Sequence, residues 1–232
     1  MVERGGRQRI PRPPGTRPGE LPAWSALGPT ERLIPLATAV ERLREAGPPL
    51  GPTFDVTDAR EAAVLVALFE DAGETHVVLT KRPETMPSHQ GEIAFPGGKR
   101  ETSDASLAAA ALREAYEEIG LEPDAVEVVI ELDTIATVAS AFTISPFVGV
   151  LSERPVLKPH PREVVDAFAV PVSELLHPEA YREELWDLWG AYRPMAFFEL
   201  PGETVWGATA RILSRLLIVI TGADPEPAAS GI

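Results

Sequence analysis

The segment "LREAYEEIGL", residues 112–121, contains one arginine and three glutamates and ends in Gly-Leu. On a helix, Glu114 faces Glu117 and Glu118, because side chains three and four positions apart are neighbours. Like-charged pairs at this spacing destabilise a helix by about 0.2–0.5 kcal/mol each. Something must offset that repulsion, and the surrounding sequence indicates whether it is water or a bound cation.

The residues before this segment extend the helical pattern towards the N-terminus. A helix is predicted over residues 104–119, with Ser103 or Asp104 as its N-cap and Gly120 as its end. Its apolar stripe repeats every four positions and consists of Leu107, Ala111, Ala115 and Ile119. The three glutamates fall along one flank of this stripe, at the rim of the predicted core.

The turn "FPGGK", residues 95–99, precedes this helix and is expected to lie near the same rim. Three carboxylates, with the backbone carbonyls of a Gly-Gly turn nearby, suit a hard cation such as Mg²⁺ or Mn²⁺. The alternative interpretation is a plain solvated acidic face.

The rest of the chain mixes helix and strand patterns. A helix is predicted over residues 30–47, with Thr30 as N-cap or with Pro35 at its true start. Two runs rich in Val and Leu, joined by the turn 71–74, predict a β-hairpin. Further strands are predicted in "GEIAFPGG", "VEVVIELDTIAT", "ISPFVGVL", "VVDAFAVPV" and "YRPMAFFEL", and a last helix in "TVWGATARILSRLLIVI". Strands outnumber helices, which favours a mixed sheet with helices packed on it.

Composition limits the classes of protein. A net charge of -14 in 232 residues argues against a general nucleic-acid-binding protein, which needs clustered Lys and Arg. The absence of cysteine excludes disulfides, thiolate zinc sites and a cysteine nucleophile. Since no apolar run reaches about 18 residues, no membrane span is expected. The N-terminus lacks the apolar region of a secretory signal, so a cytoplasmic location is predicted.

Both ends of the chain are rich in Pro and Gly. Residues 1–29 (the arm) are predicted to be disordered, as is the tail over residues 223–232, which leaves one globular domain over residues 30–222. The arm is locally basic, with five arginines against two glutamates. A nucleic-acid or acidic partner is one interpretation, and a solvated disordered arm is the favoured one.

Residues 98–121 resemble the Nudix box, written G-x5-E-x7-R-E-U-x-E-E-x-G-U with U apolar. Gly98 opens the motif, and "REAYEEIGL", residues 113–121, matches its second half. Gly98 and Arg113 enclose 14 residues, one more than in the usual pattern. The usual first glutamate falls on Ala105, so Asp104 or Glu101 is expected to supply that acid.

A second stretch, "LTKRPETMPSHQGEIAFPGGK", residues 79–99, is similar to the segment that distinguishes coenzyme A diphosphatases among Nudix hydrolases. The matching residues are Leu79, Thr80, Arg82, Gly91 and Phe95 to Gly98. Pro83 replaces the usual Ser or Ala, and Pro87 stands where that subfamily has a second arginine. This second departure bears on coenzyme A specifically and not on the hydrolase assignment.

The resemblance implies a Nudix fold, which is an α/β/α sandwich built on a mixed sheet. It implies a metal-dependent hydrolase that cleaves the pyrophosphate bond of a nucleoside diphosphate linked to another group. Coenzyme A and its acyl derivatives are the first expectation for the substrate, with ADP-ribose, NADH or dinucleoside polyphosphates as alternatives. A non-catalytic Nudix-fold protein that senses a nucleotide is the alternative of another class.

The resemblance also implies roles for particular residues. Mg²⁺ or Mn²⁺ would be held by the Gly98 carbonyl and by Glu114, Glu117 and Glu118. Arg113 would orient the glutamates, and a glutamate of the box or Glu163 on a later loop would act as general base. Phosphate contacts are expected from Lys81, Arg82 and Arg100. The expected partner is a small molecule, without nucleic acid or membrane, and a homodimer is the assembly considered.

Overall fold

The computed structural model describes residues 3–52, 56, 58–85, 89–137, 141–188 and 190–223. The helices in these residues are α1 (Leu36–Glu45), α2 (Leu107–Ile119), α3 (Val172–Leu175) and α4 (Gly207–Thr221). The first six strands are β1 (Arg17–Pro18), β2 (Arg60–Asp71), β3 (Glu74–Lys81), β4 (Ile93–Ala94), β5 (Gly97–Lys99) and β6 (Val126–Glu131). The other strands are β7 (Ile135–Thr137), β8 (Phe142–Leu151), β9 (Asp166–Pro171), β10 (Tyr181–Leu188), β11 (Ala191–Leu200) and β12 (Glu203–Trp206).

The central sheet is mixed, as predicted. Its main path runs β4-β3-β2-β8-β6, with β5 also paired to β2, β7 to β8 and β9 to β3. Strands β2 and β8 are parallel, whereas the other pairs in this sheet are antiparallel. The predicted hairpin is formed by β2 and β3, and its turn residues Ala72 and Gly73 both have positive φ, at 52° and 82°. Two positive φ values match the twist of a two-residue hairpin turn.

The two faces of β2 belong to two different cores. Ala63, Leu65 and Ala67 point towards α2, together with its alanines and Ile119. Val66 and Leu68 point the other way, into a larger aliphatic core shared with α1 and α4. This alternation is the two-residue period of a strand covered on both sides. The fold is therefore the predicted α/β/α sandwich.

Helix α2 begins later than predicted. It starts at Leu107 and not at residue 104, and its N-cap is Ser106, whose side chain accepts a hydrogen bond from Ala109 N at 3.1 Å. Asp104 is instead occupied by Arg113, so its carboxylate is not available for capping. Gly120 ends the helix with φ 68°, as predicted.

Helix α1 confirms the alternative start at Pro35, which is its N-cap, whereas Thr30 and the residues up to 34 lie outside the helix. The run "VEVVIELDTIAT" forms two strands, β6 and β7, and not one. The interruption is explained by Asp133, whose side chain accepts a hydrogen bond from Leu50 N at 2.8 Å, while Thr134 N donates to Leu50 O at 3.0 Å. The last helix begins at Gly207, because residues 204–206 belong to β12.

A second sheet, which the sequence did not predict, has the antiparallel order β1-β10-β11-β12. Its first strand comes from the arm, which contradicts the expectation that the arm is solvated and disordered. Trp24 is 3% exposed and stacks on Phe198 with ring centroids 6.3 Å apart. The arm is held on the domain because Arg12 pairs with Glu184 of β10, Arg4 pairs with Glu174 of α3, and Trp24 enters the aliphatic core.

The domain limits at residues 30 and 222 remain a prediction, and residues 224–232 of the tail lie outside the described part of the chain. None of the helices in the described ranges is both long and apolar enough to cross a lipid bilayer.

Candidate active site

The site lies where α2 packs against β5 and β2. Three alanines on the buried side of α2 (Ala110, Ala111 and Ala115) are fully buried and let the helix approach the sheet closely. The glycines of β5 complete this approach. Gly97 has φ 155°, and a Cβ there would collide with the backbone of Ala63 and Val64. A Cβ on Gly98 would overlap the carboxylate of Glu114.

Glu118 is the most deeply placed of the three glutamates. It is 5% exposed, and its Oε2 accepts a hydrogen bond from Gly97 N at 3.1 Å. Burial raises the pKa of Glu118 to about 7, and the negative charges of Glu114 and Glu163 act in the same direction. The Gly97 amide and the charge of Arg82 oppose this rise without cancelling it. Glu118 is therefore a carboxylate whose ionisation needs more positive charge than the described residues provide.

Glu114 is less deeply buried than Glu118, with a side chain that is 16% exposed. Burial raises its pKa, and the charges of Glu117 and Glu163 add to this effect against the opposing guanidinium of Arg113. Its Oε1 accepts a hydrogen bond from Arg113 at 3.1 Å. Within the described residues, no protein donor contacts Oε2 of Glu114 or Oε1 of Glu118.

Arg113 connects the helix to the loop that precedes it. Its guanidinium donates to both carboxylate oxygens of Asp104 at 2.9 and 3.1 Å, and to Lys99 O at 3.1 Å. It also donates to Glu114 and, at 3.0 Å, to Glu117. The hydrogen bond from Arg113 lowers the pKa of Asp104. Arg113 therefore orients two of the three glutamates, and Asp104 is its anchor in the longer loop.

Glu117 differs from its two neighbours in exposure. Its side chain is 51% exposed, and one of its oxygens is paired with Arg113. The structure thus brings Glu114 and Glu118 together at the glycine pair and holds Glu117 one step further out.

The loop that carries Glu163 is attached to the end of α2. Lys158 N donates to Ile119 O at 2.8 Å, and His160 N donates to Glu118 O at 2.7 Å. These hydrogen bonds satisfy carbonyls that a helix end leaves without partners. Glu163 is exposed, and its charge contributes to the raised pKa of both Glu114 and Glu118. It therefore lies at the same site as the helix glutamates.

The three cations predicted to contact phosphate have different surroundings. Arg82 lies close enough to Glu118 for its charge to oppose the rise in the pKa of that residue, and its Nε is buried without a hydrogen-bond partner in the described residues. Lys81 is paired with Glu203 of β12. Arg100 is paired with Glu61 of β2 at 3.0 Å. Pro87 lies outside the described residues.

The described residues form no preformed cage of three metal-ligating side chains. Within the described ranges, no three His, Asp or Glu side chains are arranged to hold a metal ion. The available donors are instead the two free oxygens of Glu114 and Glu118 and the backbone at the glycine pair. Oxygen donors with raised pKa values suit a hard divalent cation that completes its shell with water and phosphate oxygens. The residues present therefore fit a Mg²⁺ or Mn²⁺ ion bound together with substrate.

Three features of the site had no sequence signal. The amide donor from Gly97 to Glu118 depends on how β5 packs against α2. The attachment of residues 158–160 to α2 and the pairing of Lys81 with Glu203 join segments far apart in the chain. A pattern within one segment cannot indicate them.

The family of the chain follows from a comparison with known proteins. The NUDIX domain family matches residues 59–189, which include β2, β5, α2 and the loop with Glu163. The chain belongs to the Nudix family.

Several curated proteins of this family are similar to the chain. Nudix hydrolase 22, chloroplastic, of Arabidopsis thaliana is 39% identical over 173 residues, which cover 72% of this chain and 57% of that protein. Nudix hydrolase NudL of Enterobacter sp. (strain 638) is 35% identical over 176 residues, which cover 72% of this chain and 85% of NudL. Peroxisomal coenzyme A diphosphatase NUDT7 of Mus musculus is 36% identical over 146 residues, which cover 63% of this chain and 61% of NUDT7. The chain therefore matches less than two thirds of the plant and mouse relatives.

Proposed function

We propose that this protein is a divalent-metal-dependent hydrolase that cleaves the pyrophosphate bond of a nucleoside diphosphate linked to a second group. The observation that carries the proposal is the pair of carboxylates at Gly97 and Gly98. Glu118 is buried, Glu114 is half-buried, and each keeps one oxygen without a protein partner in the described residues. Membership of the Nudix family supports assigning this pair to the catalytic helix.

The cation would be Mg²⁺ or Mn²⁺, held by the free oxygens of Glu114 and Glu118, the Gly98 carbonyl and Glu117. Hydrolases of this family generally use divalent metal ions. When bound, such a cation neutralises phosphate charge and lowers the pKa of a coordinated water.

The protein's own side chains would orient the metal-binding glutamates, bind a substrate phosphate and accept the proton of the attacking water. Arg113 keeps Glu114 and Glu117 in place through charge-assisted hydrogen bonds. Arg82, whose Nε has no hydrogen-bond partner in the described part of the chain, is the cation we assign to a substrate phosphate. Glu163 is exposed at the same site, so we assign it the proton released when water attacks phosphorus. Water attacks one phosphorus and the bond from that phosphorus to the bridging oxygen breaks. The attacked phosphorus keeps the oxygen of water, and the other phosphorus leaves with the bridging oxygen.

Coenzyme A and its acyl derivatives are the substrates we favour. The resemblance of residues 79–98 and the similarity to a coenzyme A diphosphatase support this choice. Pro87 stands where the subfamily has an arginine, and losing a charge-assisted contact costs about 1.5–3 kcal/mol. This corresponds to a roughly tenfold to hundredfold loss in binding. We therefore propose inefficient cleavage of coenzyme A, with ADP-ribose, NADH and dinucleoside polyphosphates as alternatives.

A product screen by mass spectrometry tests this proposal. Purified protein is incubated with each candidate in the presence of Mg²⁺, Mn²⁺ or EDTA. We expect metal-dependent conversion of coenzyme A to phosphopantetheine and an adenosine bisphosphate. Pro87→Arg is expected to raise kcat/KM for coenzyme A by about tenfold or more, whereas Thr85→Arg, which adds the same charge two positions earlier in the sequence, should not.

The remaining outcomes of the screen separate the alternatives. If coenzyme A stays intact while ADP-ribose or NADH is consumed, the subfamily assignment is wrong and the hydrolase class is retained. If no candidate is cleaved but one of them binds, the protein is a nucleotide sensor, which is the alternative of another class.

A further inference from the structure

An ion pair joins the two sheets close to the candidate active site. Lys81, the last residue of β3, is paired with Glu203, the first residue of β12. The two side chains are only 30% and 22% exposed. A pair that is partly withdrawn from water is screened less than a surface pair and holds its geometry better.

Lys81 is also connected to the loop that carries Glu163. Its carbonyl accepts a hydrogen bond from Val165 N at 2.8 Å. Val165 is two residues after Glu163 and is separated from it by the buried Val164. Any displacement of the end of β3 therefore moves the loop of the proposed general base.

The next residue, Arg82, faces the helix glutamates. Its charge opposes the rise in the pKa of Glu118, and its own amide donates to Glu92 O at 3.0 Å. Lys81 and Arg82 together thus connect β12, the Glu163 loop and the carboxylate pair.

The arm reaches the same junction through Glu203. Gln8 donates to Oε2 of Glu203 at 3.0 Å and to Thr204 O at 3.2 Å, while Lys81 takes Oε1 of Glu203. Gly6 N donates to the Thr204 side chain at 2.8 Å. The two oxygens of Glu203 are therefore divided between the arm and the end of β3.

We propose that Glu203 is a positioning residue for the active site. Gln8 holds Glu203 by a hydrogen bond, and Glu203 holds Lys81 by the ion pair. The position of Lys81 in turn determines the positions of Glu163 and Arg82 relative to Glu118. This inference rests on the proposed function, because its consequence is a change in the hydrolysis of the diphosphate. It assigns the Lys81 ammonium to Glu203 and not to a substrate phosphate.

Charge reversal tests the assignment of Lys81. We compare the unmodified protein with Lys81→Glu, Glu203→Lys and the double variant, using the diphosphate that the product screen identifies. Each single variant is expected to lower kcat/KM by about tenfold or more, because small displacements of catalytic groups are costly. The double variant restores an ion pair and should return to within about threefold of the unmodified protein.

Two kinetic outcomes would overturn the proposal. If the double variant remains as slow as Lys81→Glu, the ammonium itself contacts substrate. If neither single variant changes kcat/KM, the pair does not position the site.

Hydrogen exchange gives a readout that needs no substrate. The amide of Val165 should exchange faster in both single variants and regain its protection in the double variant. Unchanged exchange in an active enzyme contradicts the inference and leaves the proposed function in place. If no substrate is found, the proposed function fails, while the exchange experiment still decides whether Glu203 positions the loop.

The contribution of the arm is tested with a matched pair of variants. Gln8→Ala removes the hydrogen bonds to Glu203 and Thr204, whereas Arg9→Gln alters an exposed neighbour without an ion pair in the described residues. We expect Gln8→Ala to lower kcat/KM by about threefold, because Glu203 loses its hydrogen bond from the arm but keeps its pair with Lys81, and to speed exchange at Val165. Arg9→Gln should change neither. Equal behaviour of the two variants would show that the arm does not act through Glu203.

Discussion

Arginines and carboxylates form two networks in this protein, and the balance of charge differs between them. On the second sheet, Arg12 and Arg182 both pair with Glu184, and Arg182 also pairs with Glu199. Burial opposes the ionisation of Glu184, yet hydrogen bonds from Trp186 and Arg12, together with the charge of Arg182, lower its pKa. The carboxylates of this network are neutralised by the protein itself.

The network on α2 has the opposite balance. One guanidinium, that of Arg113, serves Asp104, Glu114 and Glu117, and it does not reach Glu118 with a hydrogen bond in the described residues. The pKa values of Glu114 and Glu118 are raised and not lowered. The difference separates two kinds of acidic cluster: one is saturated with arginine and stabilises the fold, and the other keeps an excess of negative charge that a cation can complete.

The largest expected effect comes from Glu118, where the two networks differ most. Glu118→Gln keeps the size of the side chain and removes the charge, so it should lower kcat by about 10³-fold, or about 4 kcal/mol. The free energy of unfolding of the metal-free protein should not fall, because one member of a repelling cluster is removed. Steady-state kinetics at saturating Mg²⁺ and urea unfolding measure the two quantities, with the exposed Glu122→Gln as control. If Glu118→Gln keeps a near-normal kcat, the α2 network does not contribute to catalysis and does not differ in this respect from the network on the second sheet.

The pH dependence of stability provides the next largest effect. Glu118 titrates near pH 7 in the folded protein and near 4.5 when unfolded. Between these values the unfolded chain releases the proton while the folded protein retains it. The free energy of unfolding of the metal-free protein should therefore fall as pH rises from about 4.5 to 7, by about 3 kcal/mol.

Urea unfolding in EDTA at pH 5 and pH 7.5 measures this change, with Glu118→Gln as the reference in which the contribution is absent. Mg²⁺ at pH 7.5 should restore stability to the unmodified protein and much less to the variant. If the free energy of unfolding changes with pH by the same amount in both proteins, Glu118 is not the carboxylate whose pKa is raised by its burial in the α2 network.

Glu117 allows the comparison to be made within one helix. It is half exposed and already paired with Arg113, so it stands between the saturated and the unsaturated cases. Glu117→Gln should lower kcat by about tenfold, or about 1.4 kcal/mol. It should change the free energy of unfolding less than Glu118→Gln does. A loss as large as that of Glu118→Gln would place Glu117 in the inner set of ligands and change the proposed geometry of the site.

The sequence was sufficient for the α2 side of the molecule because the relevant contacts are local there. Helix α2, its stop at Gly120 and the neighbourhood of Glu114 and Arg113 all follow from spacings within about 25 residues of one segment. The start of α2 was misplaced because Asp104 has a partner nine positions away, and that partner competes with capping.

The second sheet was missed for the opposite reason. Strand β10 reads "YREELWDL", a charged run without a clean apolar alternation. Its charges become compatible with a sheet because the arm, more than 160 residues away in the chain, supplies Arg12 and the edge strand β1. The basic composition of the arm was visible, but the acidic surface that it covers exists only after β10 and β11 have paired.

The smallest expected effect tests the saturated network directly. Arg12 donates to both oxygens of Glu184 at 2.9 and 3.0 Å, and its side chain is 43% exposed. Exposed pairs contribute about 0–1 kcal/mol, so Arg12→Gln should lower the free energy of unfolding by less than about 1 kcal/mol. The loss should vanish near 1 M NaCl, where the screening length is about 3 Å. Arg9→Gln removes an equal charge from the arm, and Arg9 has no ion pair among the residues that the structure describes, so this variant is the control for the change in net charge. Activity should stay within about twofold in both variants, because neutralised carboxylates on the second sheet take no part in binding a cation. A loss of activity in Arg12→Gln comparable to that of Glu117→Gln, with Arg9→Gln unaffected, would mean that the second network also shapes the active site.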